Sequence, residues 1–86
     1  MIKRYVVSGH SMEPSFYDGD KLLLSSLYLS LKPKDVVVFN DGKRNFLKRI
    51  KKIYGNNVVV RGDNRDHSSE WHINRNQIKG KLLMRY

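Results

Sequence analysis

The sequence contains no cysteine. This absence excludes a disulfide framework, a thiolate zinc site and a cysteine nucleophile. Alanine is also absent, and no window repeats apolar residues at helical spacing over three turns, so helix is expected to be scarce. The longest unbroken apolar run, Val36 to Phe39, is far shorter than the roughly 18–20 residues of a membrane-spanning helix. We therefore expect a soluble, cytoplasmic protein; peripheral attachment to a membrane or a lost anchor segment is the alternative.

Acidic residues are few: 8 Asp and Glu stand against 17 Lys and Arg, giving a formal net charge of +9. The excess lies in residues 32–86, which carry fourteen basic and five acidic residues, whereas residues 1–31 carry three of each. Such a charge favours an acidic protein or an anionic membrane surface as partner. In the membrane alternative, Trp71, the single tryptophan, should lie at the interface. Nucleic acid is not expected, because no helix-turn-helix, RRM or zinc pattern accompanies the scattered basic residues.

The length and the residue pattern predict one all-β domain over residues 1–86. A chain of 86 residues has room for one modest core. Short runs of Val, Ile, Tyr and Phe separated by Gly, Asn, Asp and Pro are typical of strands and turns. The predicted strands are Arg4–Ser8, Lys21–Ser26, Asp35–Asn40, Asn45–Tyr54, Val58–Arg61 and Ile78–Arg85.

Two turn sequences and one polar segment separate the later strands. Asn40-Asp41-Gly42-Lys43 and Gly55-Asn56-Asn57 predict antiparallel hairpins, because Asp-Gly and Asn-Asn tolerate the positive φ of tight turns. The segment Asp63–Asn76 is polar and has no clear period, which predicts a long loop. Long loops in compact domains often carry function.

Ser11 is the first candidate nucleophile. It lies in Gly9-His10-Ser11-Met12-Glu13-Pro14, directly after an apolar strand, where a rigid strand end can present a hydroxyl. A serine needs a base, and the candidates are His10, His67, His72 or a lysine. His10 is poorly placed, because neighbours in an extended segment point to opposite faces. His67 and His72 could instead bind a metal ion, but that would need a third ligand, which the sequence does not single out. We predict neither metal nor cofactor.

Lys48 is the candidate base among the lysines. Strand alternation places it on one face with Phe46 and Ile50, between apolar neighbours. Partial burial and the positive charges of Arg49 and Lys51 should lower its pKa, and a neutral lysine is a base. The alternative is that the flexible side chain carries its charge out to water.

Five short segments follow one another in an order and spacing that a known family shares: Gly9–Pro14 with Gly19-Asp20, Asp35–Phe39, Lys48–Ile50, Gly62–Asn64 with Ser68, and Ile78–Lys81. Together they resemble the Ser/Lys endopeptidases of the signal peptidase I type, in the clan that also includes the SOS-type repressor autoproteases. The resemblance implies a small antiparallel domain with a coiled, barrel-like sheet.

The resemblance also implies roles for individual residues. Ser11 would be the nucleophile, Lys48 the general base, and Ser68 the hydroxyl that orients Lys48. Asp63 and Asn64 would shape the loop beside them. A nucleophile, a base and a group that orients the base form a coherent triad for an acyl-enzyme route.

Oxyanion stabilisation and substrate binding follow from the same resemblance. The N–H of Ser11 is one natural oxyanion donor, and a backbone donor at Gly9 would replace the hydroxyl that some family members carry there. The substrate would be an extended peptide bound as an added strand and cleaved after a small residue. Met12 and Phe16 either line a shallow pocket for it or belong to the core.

Some features depart from the family pattern. Ser69-Glu70-Trp71-His72 stands where the family has Asp-Ser-Arg, and Lys34 stands where it has glycine. A self-processing regulator of the SOS type is an alternative, less favoured because the chain has no alanine and only ten residues before Ser11. A catalytically inactive basic binding module on the same fold is another.

Overall fold

The computed structural model describes residues 1–27 and 30–86. These residues form seven strands and one short 3₁₀ turn, and the described ranges contain no α-helix: β1 Ile2–Val6, β2 Lys21–Ser25, β3 Val36–Asn40, β4 Asn45–Tyr54, β5 Asn57–Arg61, β6 Glu70–Asn74, the turn Arg75–Gln77, and β7 Ile78–Arg85. The predicted all-β class is confirmed. Within the described part, no helix is long and apolar enough to cross a membrane.

All seven strands belong to one antiparallel sheet in the order β1-β2-β7-β3-β4-β5-β6. The last strand in the chain, β7, lies between β2 and β3. The sheet is therefore open at β1 and β6 rather than closed into a barrel, and β4 lies inside it with neighbours on both sides.

Two hydrophobic cores form on opposite faces of the sheet. The first contains Val7, Met12, Phe16, Leu22, Leu24, Val36, Val38 and Leu47. The second contains Leu31, Val37, Phe39, Ile50, Val58, Val60, Ile73 and Ile78. Because successive residues of a strand point to opposite faces, β3 supplies both cores, which explains its unbroken apolar run.

The two predicted hairpins are present, and glycine supplies the positive φ in each. Gly42 has φ +100° and joins β3 to β4, while Gly55 has φ +57° and joins β4 to β5. The expectation that Asn56-Asn57 would supply the positive φ was wrong, because Asn57 already pairs in register with Tyr54.

The predicted loop Asp63–Asn76 was partly wrong, because it contains β6. This strand pairs with β5, and its two apolar residues, Trp71 and Ile73, alternate with polar ones. The Trp71 ring packs against Phe39 and Phe46, with centroids 5.4 and 4.8 Å apart. Trp71 is therefore partly buried against the second core.

Candidate active site

The segment after β1 presents Ser11 beside the first core. Gly9 takes φ +88°, and its N–H donates to Asp18 Oδ1 at 2.8 Å. The Met12 side chain is only 1% exposed within the first core, and its carbonyl accepts from the N–H of Phe16 at 2.9 Å. A left-handed glycine on one side and a buried methionine on the other thus fix the backbone around Ser11.

Lys48 and Ser11, 37 residues apart, are in direct contact. Lys48 Nζ donates to Ser11 Oγ across 2.6 Å. Lys48 lies in the middle of β4, where its register partner on β3 is Val37, a residue of the second core. Only 6% of Lys48 is exposed, so its side chain is buried beside the groove and does not extend into bulk solvent.

Burial lowers the pKa of Lys48 below its ordinary value of 10.5. Desolvation disfavours the ammonium form, and no carboxylate forms an ion pair with Lys48 in the described residues. A neutral amine can accept a proton from the hydroxyl it contacts. The pair therefore has the geometry and the electrostatics of a nucleophile with its base.

The three histidines have other surroundings. His10 Nδ1 lies 2.6 Å from Glu13 Oε2, and this hydrogen bond and the Glu13 charge raise the pKa of His10. His72 Nε2 lies 3.4 Å from Glu70 Oε2. His67 lines the groove beside Ser11 without a hydrogen bond to it among the described residues. None of the three contacts Ser11 Oγ there.

Asn64 joins the loop after β5 to the Ser11 segment. Its main-chain N–H donates to the Ser11 carbonyl at 2.8 Å, and its side-chain Nδ2 donates to the His10 carbonyl at 2.9 Å. These two bonds hold the two peptide groups that flank the α-carbon of Ser11. Asn64 therefore positions the turn that carries the hydroxyl.

Ser68 has a different partner from the one expected. Its Oγ donates to the Asn64 carbonyl at 2.6 Å and approaches the Gly62 carbonyl at 3.1 Å. The expected hydrogen bond to Lys48 is absent from the described part of the chain, where the Ser68 hydroxyl bonds these main-chain carbonyls and Lys48 Nζ bonds Ser11. Ser68 braces the loop that carries Asn64.

Asp63 binds Arg49, which the sequence indicates only as a positive charge near Lys48 and not as a partner of Asp63. Arg49 Nε and Nη2 reach the Asp63 carboxylate at 2.9 and 2.8 Å, and Nη1 donates to the Lys34 carbonyl at 2.8 Å. Burial would raise the pKa of Asp63, but hydrogen bonds from Arg49 and Ser15, together with the positive charges of Arg49 and Lys51, keep that pKa below its ordinary value. The pairing depends on strand register, which the sequence did not reveal.

Of the two predicted backbone oxyanion donors, one is available. The Gly9 N–H is engaged by Asp18. The Ser11 N–H forms no hydrogen bond within the described residues. An oxyanion that forms when Ser11 attacks a carbonyl could accept a hydrogen bond from the main-chain N–H of Ser11.

A groove of about 320 Å³ runs past Ser11 and Lys48, between residues 8–11 and residues 44–46. Met12 lines a smaller cavity of about 30 Å³ beside it. Phe16 lies in the first core, with the Arg85 guanidinium 5.9 Å from its ring centroid. Of the two alternatives expected for Phe16, the structure shows the core position, and its ring is absent from the lining of the groove and of the smaller cavity.

Residues 4–83, nearly the whole chain, match the family model described as Peptidase S24-like. The chain therefore belongs to the S24-like peptidase family. The matched range includes Ser11, Lys48 and the loop that holds them. The match does not distinguish a signal-peptidase type of substrate from a repressor type. No curated protein matches the chain.

Proposed function

We propose that the chain is a serine endopeptidase in which Ser11 is the nucleophile and Lys48 its general base. It cleaves an extended segment of a protein precursor. The observation that carries the proposal is the 2.6 Å contact between Lys48 Nζ and Ser11 Oγ, made by an amine that is buried without a counter-ion among the described residues. Membership of a peptidase family supports it.

The first half of the reaction transfers the acyl group to Ser11. Neutral Lys48 accepts the hydroxyl proton while Oγ bonds to the scissile carbonyl carbon, giving a tetrahedral oxyanion. The Ser11 N–H donates to that oxyanion. The carbon–nitrogen bond then breaks, and the Lys48 ammonium returns the proton to the leaving amine.

The second half releases the acyl group to water. Lys48, neutral again, takes a proton from a water molecule that attacks the ester carbonyl. The ester bond to Oγ breaks, Oγ recovers the proton from Lys48, and the carboxylic acid product leaves. Asn64 keeps the turn in place through both halves, because its two hydrogen bonds hold the backbone at His10 and Ser11.

The substrate binds as an added strand along the start of β4. Asn45, Phe46, Leu47 and Lys48 pair with β3 on one side, whereas the β5 pairing begins only at Arg49, opposite Arg61. The first four residues of β4 thus have one edge without a strand partner in the described chain. The groove follows this edge, and main-chain hydrogen bonds there suit an extended peptide.

A serine-acylating probe of the penem or fluorophosphonate kind tests the proposal. Intact mass should show one adduct, located on Ser11 by peptide mapping. Ser11→Ala should abolish the adduct, and Ser69→Ala, at an exposed loop serine, should retain it. A chain that remains unmodified while folded would overturn the peptidase proposal and favour the inactive binding module.

The S24-like match favours a second candidate, a regulator that cleaves a segment of its own polypeptide. The same Ser11 and Lys48 would act, but the substrate would be intramolecular. The rate constant of intramolecular self-cleavage would not depend on protein concentration. The rate at which wild-type protein cleaves Ser11→Ala protein would rise with concentration. Intact mass over a dilution series separates the two.

A further inference from the structure

A second cavity lies beside the loop that holds the Ser11 segment. Its volume is about 380 Å³, within the range of ordinary ligand pockets. We name it the basic cavity and define it by its lining residues Arg49, Lys51, Arg61, Gly62, Asp63 and Arg65.

The lining of the basic cavity carries more positive than negative charge. Four of its six lining residues are cationic and one is acidic. The acidic one, Asp63, is already bound by Nε and Nη2 of Arg49. Lys51, Arg61 and Arg65 form no ion pair in the described residues.

Folding alone does not account for this arrangement. Arg49 and Arg61 lie directly opposite each other on β4 and β5, and like charges in such a position repel. The register partner of Arg61 on β6 is Glu70, whose carboxylate contacts His72 instead. An anion entering the cavity would relieve the repulsion, and guanidinium groups bind carboxylates in matched geometry. The Arg49–Asp63 contact already shows that geometry.

The cavity and the active-site groove share one loop. Arg65 lines the cavity and His67, two residues later, lines the groove, while Asn64, the residue before Arg65, binds the Ser11 backbone. The Cα trace spans 32 × 31 × 24 Å. An extended peptide of about ten residues is as long as the molecule, so its length suffices to reach from the groove to the cavity.

We infer that the basic cavity binds acidic side chains of the polypeptide substrate, at a distance from the bond that is cleaved. This inference rests on the proposed peptidase function and adds a substrate class to it: segments with Asp or Glu beside the cleaved stretch. Carboxylates are favoured as the ligand because the cavity already binds one, that of Asp63, and because the adjoining groove suits a polypeptide.

The test compares the binding of two labelled peptides by fluorescence anisotropy. One carries several Glu residues, and the other has Gln at the same positions. Wild-type protein should prefer the Glu peptide. A triple variant, Lys51→Gln with Arg61→Gln and Arg65→Gln, should bind the Glu peptide about tenfold more weakly and the Gln peptide unchanged.

A charge-matched control removes three exposed lysines outside the cavity: Lys3→Gln, Lys43→Gln and Lys79→Gln. It should retain most of the preference. Equal losses in both triple variants, or no preference in the wild type, would overturn the inference. The inference would also be overturned if the cavity residues were needed to bind inorganic phosphate, anionic phospholipid vesicles or a single-stranded oligonucleotide, but the Glu peptide did not bind.

Acylation of wild-type Ser11 by the small probe is measured separately. Acylation without a preference for the Glu peptide would overturn the basic-cavity inference and leave the peptidase proposal standing. Glu-peptide binding without acylation would overturn the peptidase proposal and, with it, the assignment of the peptide as a substrate.

Discussion

Gly62 lies directly against the main-chain carbonyl of Ser11. A β-carbon at position 62 would overlap that oxygen and would come within 2.7 Å of Ser68 Cβ. The overlapping atom belongs to the main chain, so a change of side-chain rotamer cannot relieve the overlap. The absence of a side chain at Gly62 therefore allows the loop after β5 to approach the Ser11 turn, and the Asn64 hydrogen bonds depend on that approach.

We expect Gly62→Ala to lower stability by about 2–3 kcal/mol and to slow acylation of Ser11, because the loop and the turn must separate. Urea unfolding and the rate of probe adduct formation measure the two effects. Gly55→Ala is the control: its β-carbon meets nothing within 4 Å, so only its φ of +57° is unfavourable. It should cost about 1 kcal/mol and leave acylation unchanged. Equal acylation in both variants would contradict the role of Gly62.

The fold was largely predictable, because local patterns determined most of it. All six predicted strands overlap observed ones, and β1 begins and ends two residues earlier than predicted. β6 was missed, since Trp71 and Ile73 are its only apolar residues and its identity depends on pairing with β5. Strand order could not be derived, because nothing local indicates that β7 inserts between β2 and β3.

The resemblance predicted which residues belong to the candidate site. Their hydrogen-bond partners were harder to predict, because these depend on contacts between segments distant in the sequence. Ser11 and Lys48 come together, as the resemblance required. The partner of Ser68 could not be read from the sequence, because the choice between Lys48 and the loop carbonyls depends on the loop's path. The pairing of Arg49 with Asp63 was missed for the same reason, since it depends on the β4–β5 register.

Ser11→Ala and Lys48→Met should each abolish acylation and peptide cleavage, and the double variant should be no worse than either. Residues that act as one unit lose nearly all of their effect on the first deletion. Intact mass with the acylating probe and a cleavage assay with a peptide substrate check this. Activity that survives Lys48→Met but disappears with His10→Ala or His67→Ala would assign the base to a histidine.

The acylation rate should rise with pH through an apparent pKa below 10.5, because only neutral Lys48 accepts the Ser11 proton and burial favours that form. A rate profile measured from acidic to alkaline pH checks it. A profile already flat above about pH 7 would contradict a lysine base, since a histidine with a reference pKa near 6.5 has that shape.

Lys48→Met should raise the free energy of unfolding by about 1 kcal/mol near neutral pH, because a buried ammonium is costly. The gain should shrink as pH rises towards 10.5. Across that range the unfolded chain holds more protons than the folded one, so wild-type stability increases with pH. Urea unfolding at several pH values measures it, with Lys52→Met, at an exposed site on β4, as the control. A gain that grows with pH would contradict the assigned direction of the pKa shift.

Lys34 is the only residue other than glycine with a positive φ, +82°, in the described chain. The left-handed conformation costs an L-residue roughly 1–2 kcal/mol. It persists here because the Lys34 N–H donates to the Ile50 carbonyl at 2.9 Å and the Lys34 carbonyl accepts from Arg49 Nη1 at 2.8 Å. The chain thus accepts strain at the position where the family it resembles has glycine.

We expect Lys34→Gly to stabilise the protein by about 0.5–1 kcal/mol, because the relieved strain exceeds the added entropy of the unfolded chain. Both backbone hydrogen bonds remain possible, so Arg49 and Asp63 should keep their contact. Lys43→Gly removes the same charge at an exposed turn position without positive φ, and should lower stability by about 0.5 kcal/mol. Urea unfolding of the two variants gives opposite signs if Lys34 is strained. A loss of stability in both would show that the Lys34 side chain contributes more than its backbone conformation costs.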